Sequence, residues 1–435
     1  MKIVKVNELT PIQSGMLFQY MLTNDKSSYM GTEIFELEGN IDADIFRSVL
    51  DKISDEYEVF RTNVIYDKID KPKSVVIDKR TVPFAVHKAV NDNAVKQFTD
   101  EINAEQFKKG FDIQRDSLIR LDLVVGENSS VLIFSFHHIL MDGYCAAMIA
   151  DIIMKNYGKM IGRQCDNDVE YVPFSTYQDW IVAQDMSKSC EYWKEYLKGI
   201  SSVQPLDLVQ FGSDKKKNIG HSSLTIEFTP LETQGLISIA SAGNATLNIC
   251  MQWLWGLTLC RNFSCDKAVF GTVVSYRPAE FDNAEQILGP MINTVPVVFA
   301  CNKDNPITEQ LKAFRKSFLD SMEHSWIGLG EISKTAEDCE NLIDHLFVYD
   351  NFPEMDFGSI KKNTGFQVKN FKLEERTEYA LTLEVSKTDR IRIRFNFDSS
   401  KYSAESIERL AGLYKVYLFP VTDQHQFESP PLCSD

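Results

Sequence analysis

Two adjacent histidines, His137 and His138, close an apolar run, and Asp142 and Gly143 follow within the stretch Ser-Phe-His-His-Ile-Leu-Met-Asp-Gly (135–143). Imidazole is the side chain whose ordinary titration lies nearest neutral pH, so a positioned histidine can move protons during a reaction. If the apolar run is a strand, its successive residues point to opposite faces, and only one of the two histidines can face a given cavity. The other packs or hydrogen-bonds on the far side. Asp142 stands where a helix would begin, so its carboxylate can cap that helix or meet a cation and thereby hold the turn. Gly143 lets a substrate or another backbone approach closely.

The elements that must place these residues can be read from pattern. The run VLIFSF within 130–137 predicts a strand buried on both faces. A helix over 142–157 follows, with Ala146, Ile149, Ile152 and Ile153 on its apolar stripe. Upstream, Thr10 and Pro11 predict the start of a helix over 10–22. A strand is expected at 32–37, then a helix over 42–57 with Ile45, Val49, Leu50 and Ile53 on one face. Residues 59–66 read as a strand, 91–107 as a helix and 118–125 as a strand. A single long helix is expected over 177–197, and polar texture at 164–173 places a boundary near residue 172. The second half repeats the mixture, with strands at 223–228, 268–274, 295–299, 345–349, 379–385 and 391–396. Its helices are expected at 247–261, 307–321 and 404–418. Interleaved strands and helices in both halves predict an α/β architecture of two layered lobes, 1–172 and 173–435.

Composition narrows the function classes. The 435 residues are 44% hydrophobic and 25% charged, as in an ordered globular chain. A net charge of -16 argues against nucleic acid as a partner, because a phosphate backbone calls for clustered Lys and Arg. The basic run at 215–217 is short and reads as a solvated loop. Nine scattered cysteines form no disulfide or zinc framework, and Cys260 and Cys265 have no partner pair, so reduced thiols and a cytoplasmic setting are expected. No signal-peptide pattern or membrane-length apolar run is seen. The absence of a phosphate-cradling glycine loop or a Gly-x-Ser-x-Gly elbow agrees with chemistry that needs no bound cofactor.

HHILMDG (137–143) resembles the HHxxxDG signature of the condensation domains of nonribosomal peptide synthetases and of their chloramphenicol-acetyltransferase-like relatives. Further segments lie in that family's order. LTPIQSGMLF (9–18) is similar to the opening motif, and EYEVFRT (56–62) to the second. YQDW (177–180) with EYWKEYLKG (191–199) is similar to the helix leading out of the first lobe. GTVVSYRP (271–278) and ILGPMINTVPV (287–297) match the fifth-motif region, and LFVYDNFP (346–353) the late strand. The resemblance implies a V-shaped pseudo-dimer of two chloramphenicol-acetyltransferase-like α/β sandwich lobes around a central tunnel. It implies amide bond formation by attack of an acceptor aminoacyl amine on a donor acyl thioester. Both would be carried on phosphopantetheine arms of donor and acceptor peptidyl carrier proteins from adjacent synthetase modules.

Carried onto this chain, the resemblance makes His138 the catalytic histidine, as general base or as an electrostatic stabiliser, and His137 structural. Asp142 would pair with Arg277, Gly143 would offer its amide to an oxyanion, Arg61 would support the motif loop, and Asn293 would lie in a segment bridging the lobes. A thioester carbonyl is already electrophilic, so delivering a neutral amine and stabilising developing charge suffices. Tyr57 and Tyr276 depart from the usual histidine and glycine, which puts acceptor generality in doubt. Tyr144 and Cys145 in MDGYC, with LTPIQSGMLF, are closer to the subtype that accepts a D-configured donor. NTVPVVF (293–299) favours condensation over epimerisation, and the retained histidines exclude cyclisation domains. Gly220-His-Ser-Ser223 is faintly similar to a carrier's serine attachment site, but the strand expected after it is wrong for one. The rivals are an acyltransferase with a free amine or alcohol acceptor and a non-catalytic recruitment module on the same scaffold.

Overall fold

The computed structural model describes residues 2–39, 41–165, 171–200, 220–278, 281–302, 304–336, 341–350, 357–375 and 378–416. In chain order its first elements are β1 (Ile3–Glu8), α1 (Pro11–Thr23), β2 (Met30–Glu38), α2 (Ala43–Glu56), β3 (Thr62–Ile65), β4 (Lys73–Ile77) and β5 (Phe84–Lys88). Next come α3 (Asp92–Lys109), β6 (Ile119–Val125), β7 (Ser129–His137), α4 (Gly143–Met160), α5 (Phe174–Val182), α6 (Ser187–Tyr196), β8 (His221–Glu227), α7 (Pro230–Ala242) and α8 (Leu247–Asn262). The remainder are β9 (Lys267–Ser275), β10 (Ile292–Ala300), α9 (Ile307–Met322), α10 (Leu329–Thr335), β11 (Leu346–Tyr349), α11 (Phe357–Thr364), β12 (Gln367–Glu375), β13 (Leu381–Lys387), β14 (Ile391–Asp398) and α12 (Ala404–Val416).

The helices begin where side chains can satisfy their unpaired amides. Thr10 and Gln13 form a reciprocal capping box ahead of α1, with Pro11 in its first turn. Asp42 caps α2 and Asn91 caps α3. The apolar face of α2 is Phe46, Val49, Leu50 and Ile53, with Ile45 only partly buried beside it. Strand β7 is buried on both faces from Ser130 onward, as its apolar run predicts.

The chain divides into two compact units. The first comprises Met1–Asp185, Ser275–Ile292 and Phe352–Glu378; the second comprises Met186–Val274, Asn293–Asn351 and Tyr379–Asp435. A single cut near residue 172 therefore does not describe the division, because the first unit takes two segments from the second half of the chain. The expected helix over 177–197 is correspondingly two helices, α5 and α6, and the change of unit falls between them. Residues 59–66 are not one strand either: a 3-10 turn at Glu58–Arg61 precedes β3, with the Thr62 hydroxyl donating to the Glu58 carbonyl at 2.7 Å.

In the first unit a five-stranded sheet has the order β12-β2-β7-β6-β5, antiparallel except for β5 against β6, and a three-stranded sheet has the order β1-β4-β3. Strand β12 is thus supplied from late in the chain to the edge beside β2. One face of the five-stranded sheet packs with α2 and α4 in a core that includes Phe46, Ile53, Phe134, Phe136 and Ile149. Burying each such side chain is worth about 1.5–3 kcal/mol. In the second unit a six-stranded sheet has the order β10-β9-β11-β13-β14-β8, around a core that includes Trp193, Trp253, Trp255 and Tyr414. No helix among the described residues is long and apolar enough to cross a membrane.

Candidate active site

The end of β7 sends the two histidines to opposite faces. His137 is the last strand residue and is paired with Met30; its ring meets the edges of Tyr20 and Phe111. Its Nδ1 accepts the backbone N–H of Ile139 at 3.0 Å, which leaves the proton on Nε2, and Nε2 has no hydrogen-bond partner. Burial above all, with the neighbouring His138 adding to it, holds the His137 pKa down at about 3. A neutral ring sealed this way does not take up a second proton at physiological pH.

His138 follows on the face of Phe134 and Phe136. Its backbone N–H donates to the Tyr29 carbonyl at 2.8 Å, and its ring meets Phe136 edge to face at 5.1 Å between centroids. Gly31 on β2 makes room for this: a Cβ there would lie 2.5 Å from the Phe136 ring. The His138 Nδ1 faces the Met141 carbonyl at 3.2 Å, and a carbonyl only accepts, so Nδ1 carries a hydrogen. The Nε2 atom lies 3.2 Å from Oε1 of Glu375, at the end of β12. Burial, the largest influence, lowers the His138 pKa. The charge and hydrogen bond of Glu375, the Met141 carbonyl and Asp142 outweigh it, and the net direction is upward.

The turn between them is tied from three sides. Gln13 donates from Nε2 to the Ile139 carbonyl at 2.9 Å, and Gln178 on α5 donates to Gln13 Oε1 at 3.1 Å. Asp142 is the N-cap of α4, its Oδ1 accepting from the Cys145 amide at 2.9 Å. Its Oδ2 accepts from the Met291 amide at 3.0 Å and lies 3.6 Å from the Arg277 guanidinium. Arg277 donates to the carbonyls of Ala284 and Ile287 and lies over the Tyr144 ring at 4.2 Å. Cys145 donates its thiol to the Gly289 carbonyl and accepts from the Gly289 amide; burial, chiefly, pushes that thiol's pKa up. Asp142 and Arg277 therefore clasp the 275–292 segment onto the start of α4. Gly143 is the buried first residue of that helix.

Two of the expected supporting residues make their hydrogen bonds away from the motif turn, and Asn293 stands where the chain passes from the first unit to the second. Arg61 donates to the carbonyls of Ser54 at 2.6 Å, Asp55 at 3.3 Å and Ile77 at 2.7 Å, so it closes the C-terminal end of α2 against β4 and does not touch the motif turn. Asn293, in the second unit, donates to the Ser325 and Ile327 carbonyls at 2.6 Å each and fixes the chain after α9. Tyr57 packs edge to face on Tyr171, and the Tyr276 amide donates to the Met291 carbonyl. Sequence reasoning missed Glu375, Gln13 and Gln178 as neighbours of the motif. Only Gln13 carried a local signal, the Thr10-x-x-Gln13 capping pattern.

Known proteins resemble this chain over nearly its whole length. The family model of the condensation domain matches residues 4–426. Gramicidin S synthase 2 of Aneurinibacillus migulanus is 31% identical over 420 residues, covering 94% of this chain and 9% of that protein. Bacitracin synthase 1 of Bacillus licheniformis is 29% identical over 415 residues, covering 94% of this chain and 8% of that protein. The chain thus spans less than a tenth of the length of these relatives. Among solved structures, the condensation domain from monacolin K polyketide synthase MokA superposes with a TM-score of 0.78 at 15% identity, covering 98% of this chain and 99% of the other. The epimerization domain from the third module of tyrocidine synthetase B gives a TM-score of 0.77 at 17% identity, covering 96% of each. These two likenesses establish the fold. The family match over residues 4–426 shows that this chain belongs to the condensation-domain family, whose members are acyltransferases.

Proposed function

We propose that this chain joins a donor acyl or peptidyl thioester to an acceptor aminoacyl amine, with His138 as general base. The observation that carries the reading is the state of the His138 ring. Its Nδ1–H is fixed on the Met141 carbonyl, so the one nitrogen that can exchange a proton is Nε2, and that nitrogen faces a carboxyl whose side chain is 22% exposed. The acceptor nitrogen forms the C–N bond at the thioester carbonyl. Its proton passes to Nε2 and then to the departing thiolate as the C–S bond breaks. The Gly143 amide lies in the first turn of α4, where helix amides lack intrahelical acceptors, and it is the donor we assign to the developing oxyanion. His137 is structural, and Asp142 with Arg277 holds the turn that aims His138. Arg61 and Asn293 act only through the framework.

Both substrates arrive on phosphopantetheine arms of carrier proteins from neighbouring synthetase modules, and the chain itself holds no cofactor for this step. The wording MDGYC and LTPIQSGMLF supports a donor ending in a D-residue. The test mixes the chain with donor carriers bearing D- or L-terminated peptidyl groups and with a panel of aminoacyl-loaded acceptor carriers, read by mass spectrometry. An amide on the acceptor carrier, formed faster from the D-donor, is expected. Equal use of free amines or alcohols would point to an acyltransferase with soluble acceptors, and binding without product to a recruitment module.

A further inference from the structure

Two carboxyls that the expected motif does not include are neighbours, and one of them, Glu375, faces His138. Glu375 on β12 is opposite Gly31 on β2, and Glu33 on β2 is opposite Leu373, so the two glutamates are diagonal neighbours on one face of the sheet. At that spacing long side chains interact. Glu33 is 2% exposed, and its Oε2 has no hydrogen-bond partner. With Nδ1–H committed to a carbonyl, a bare Nε2 lone pair would face a carboxylate oxygen, which is repulsive; a proton must lie between Nε2 and Glu375. We infer that His138 works as a histidine–glutamate dyad in which Glu375 is the positioning residue and proton partner of Nε2, and that Glu33 is kept as an uncharged carboxyl beside Glu375 on the same sheet face.

The inference rests on the reading of His138 as the base and deepens it. In the resting dyad the imidazolium pairs with the Glu375 carboxylate. Release of the base moves that proton to Glu375 and out to water, since Glu375 is the more exposed partner. The amine then presents its own N–H to the vacated Nε2. A second negative charge at Glu33 would overbind the proton and hold the base protonated. Burial first, and then the charge of Glu375, raise the Glu33 pKa to about 8, which keeps it neutral through most of the working range. Among the described residues, the other charged or titratable groups beside the ring are His137 at the end of β7 and Asp142 at the start of α4, the latter paired with Arg277.

The experiment is a titration of His138 by NMR in the full chain labelled with 15N-histidine, for the wild type, Glu375→Gln and Glu375→Asp. Thermal melting confirms that each variant folds. The wild-type midpoint is expected above the ordinary value. Glu375→Gln should lower it by about one pH unit or more, because burial is then unopposed, and Glu375→Asp should recover part of the difference. The rising limb of kcat/KM should move to lower pH in Glu375→Gln by the same amount. An unchanged His138 midpoint in Glu375→Gln overturns the dyad. The base reading fails separately, if His138→Ala keeps the wild-type product rate whatever the titration of the wild type shows.

Discussion

His345 in the second unit and His138 in the first are both buried histidines flanking a strand, the one just before β11 and the other just after β7, 1% and 8% exposed. His345 donates from Nδ1 to the Asp344 carboxylate, while its Nε2 accepts the indole N–H of Trp255 at 3.0 Å; Phe270 stacks on the ring. An indole N–H cannot take a proton, so this ring is locked in one tautomer. At His138 the corresponding nitrogen faces the partly exposed carboxyl of Glu375 at 3.2 Å. Burial alone therefore does not distinguish the two rings. The partner of the second nitrogen does.

The comparison breaks most sharply at the rate of chemistry. His138→Ala should lower product formation about 10²–10⁴-fold, the usual share of a general base, with its melting temperature kept. His345→Phe should leave the rate per folded molecule unchanged, as mass spectrometry of the acceptor carrier would record.

Stability sharpens it next. Asp142→Ala removes the cap of α4 and leaves Arg277 without its carboxylate, which should cost about 3 kcal/mol in urea unfolding. His345→Phe, which leaves the Trp255 N–H unpaired and removes one partner of Asp344, should cost less, about 1–3 kcal/mol in the same measurement.

The smallest effects concern pH. His137 is neutral in the fold, with its pKa lowered from 6.5 to about 3, so the unfolded chain binds the extra proton. Its contribution to stability is complete above 6.5 and is lost as pH falls from there towards 3. Glu33 runs the other way: raised from 4.5 to about 8, it contributes fully below 4.5, and that contribution is lost as pH rises towards 8. His137→Phe should flatten the acid side of a plot of urea midpoint against pH. Glu33→Gln should flatten the slope between 4.5 and 8.

Local pattern made the His138 side of this comparison legible. The buried run before His137, the strand alternation that separates the two histidines and the cap at Asp142 all act over a few residues. The pairing of Asp142 with Arg277 was reachable only through the family resemblance. Glu375 was not reachable at all, because β12 hides its period: the register shifts between Val368 and Asn370, so its apolar residues do not alternate. Its partner strand also lies more than 300 residues earlier in the sequence. The bonds of Arg61 to the end of α2 were not legible because 59–66 reads as a strand, whereas Glu58–Arg61 form a 3-10 turn. The break between α5 and α6 was missed because helical pattern carries no mark of where one unit ends and another begins.

The most direct test of His138 as the base is the pH dependence of kcat/KM for the acceptor, measured beside the NMR titration of His138 in the same protein. The rising limb should coincide with the His138 midpoint, above the ordinary 6.5, and should vanish in His138→Ala. A limb that stays at the acceptor amine's own pKa in both proteins would contradict the account.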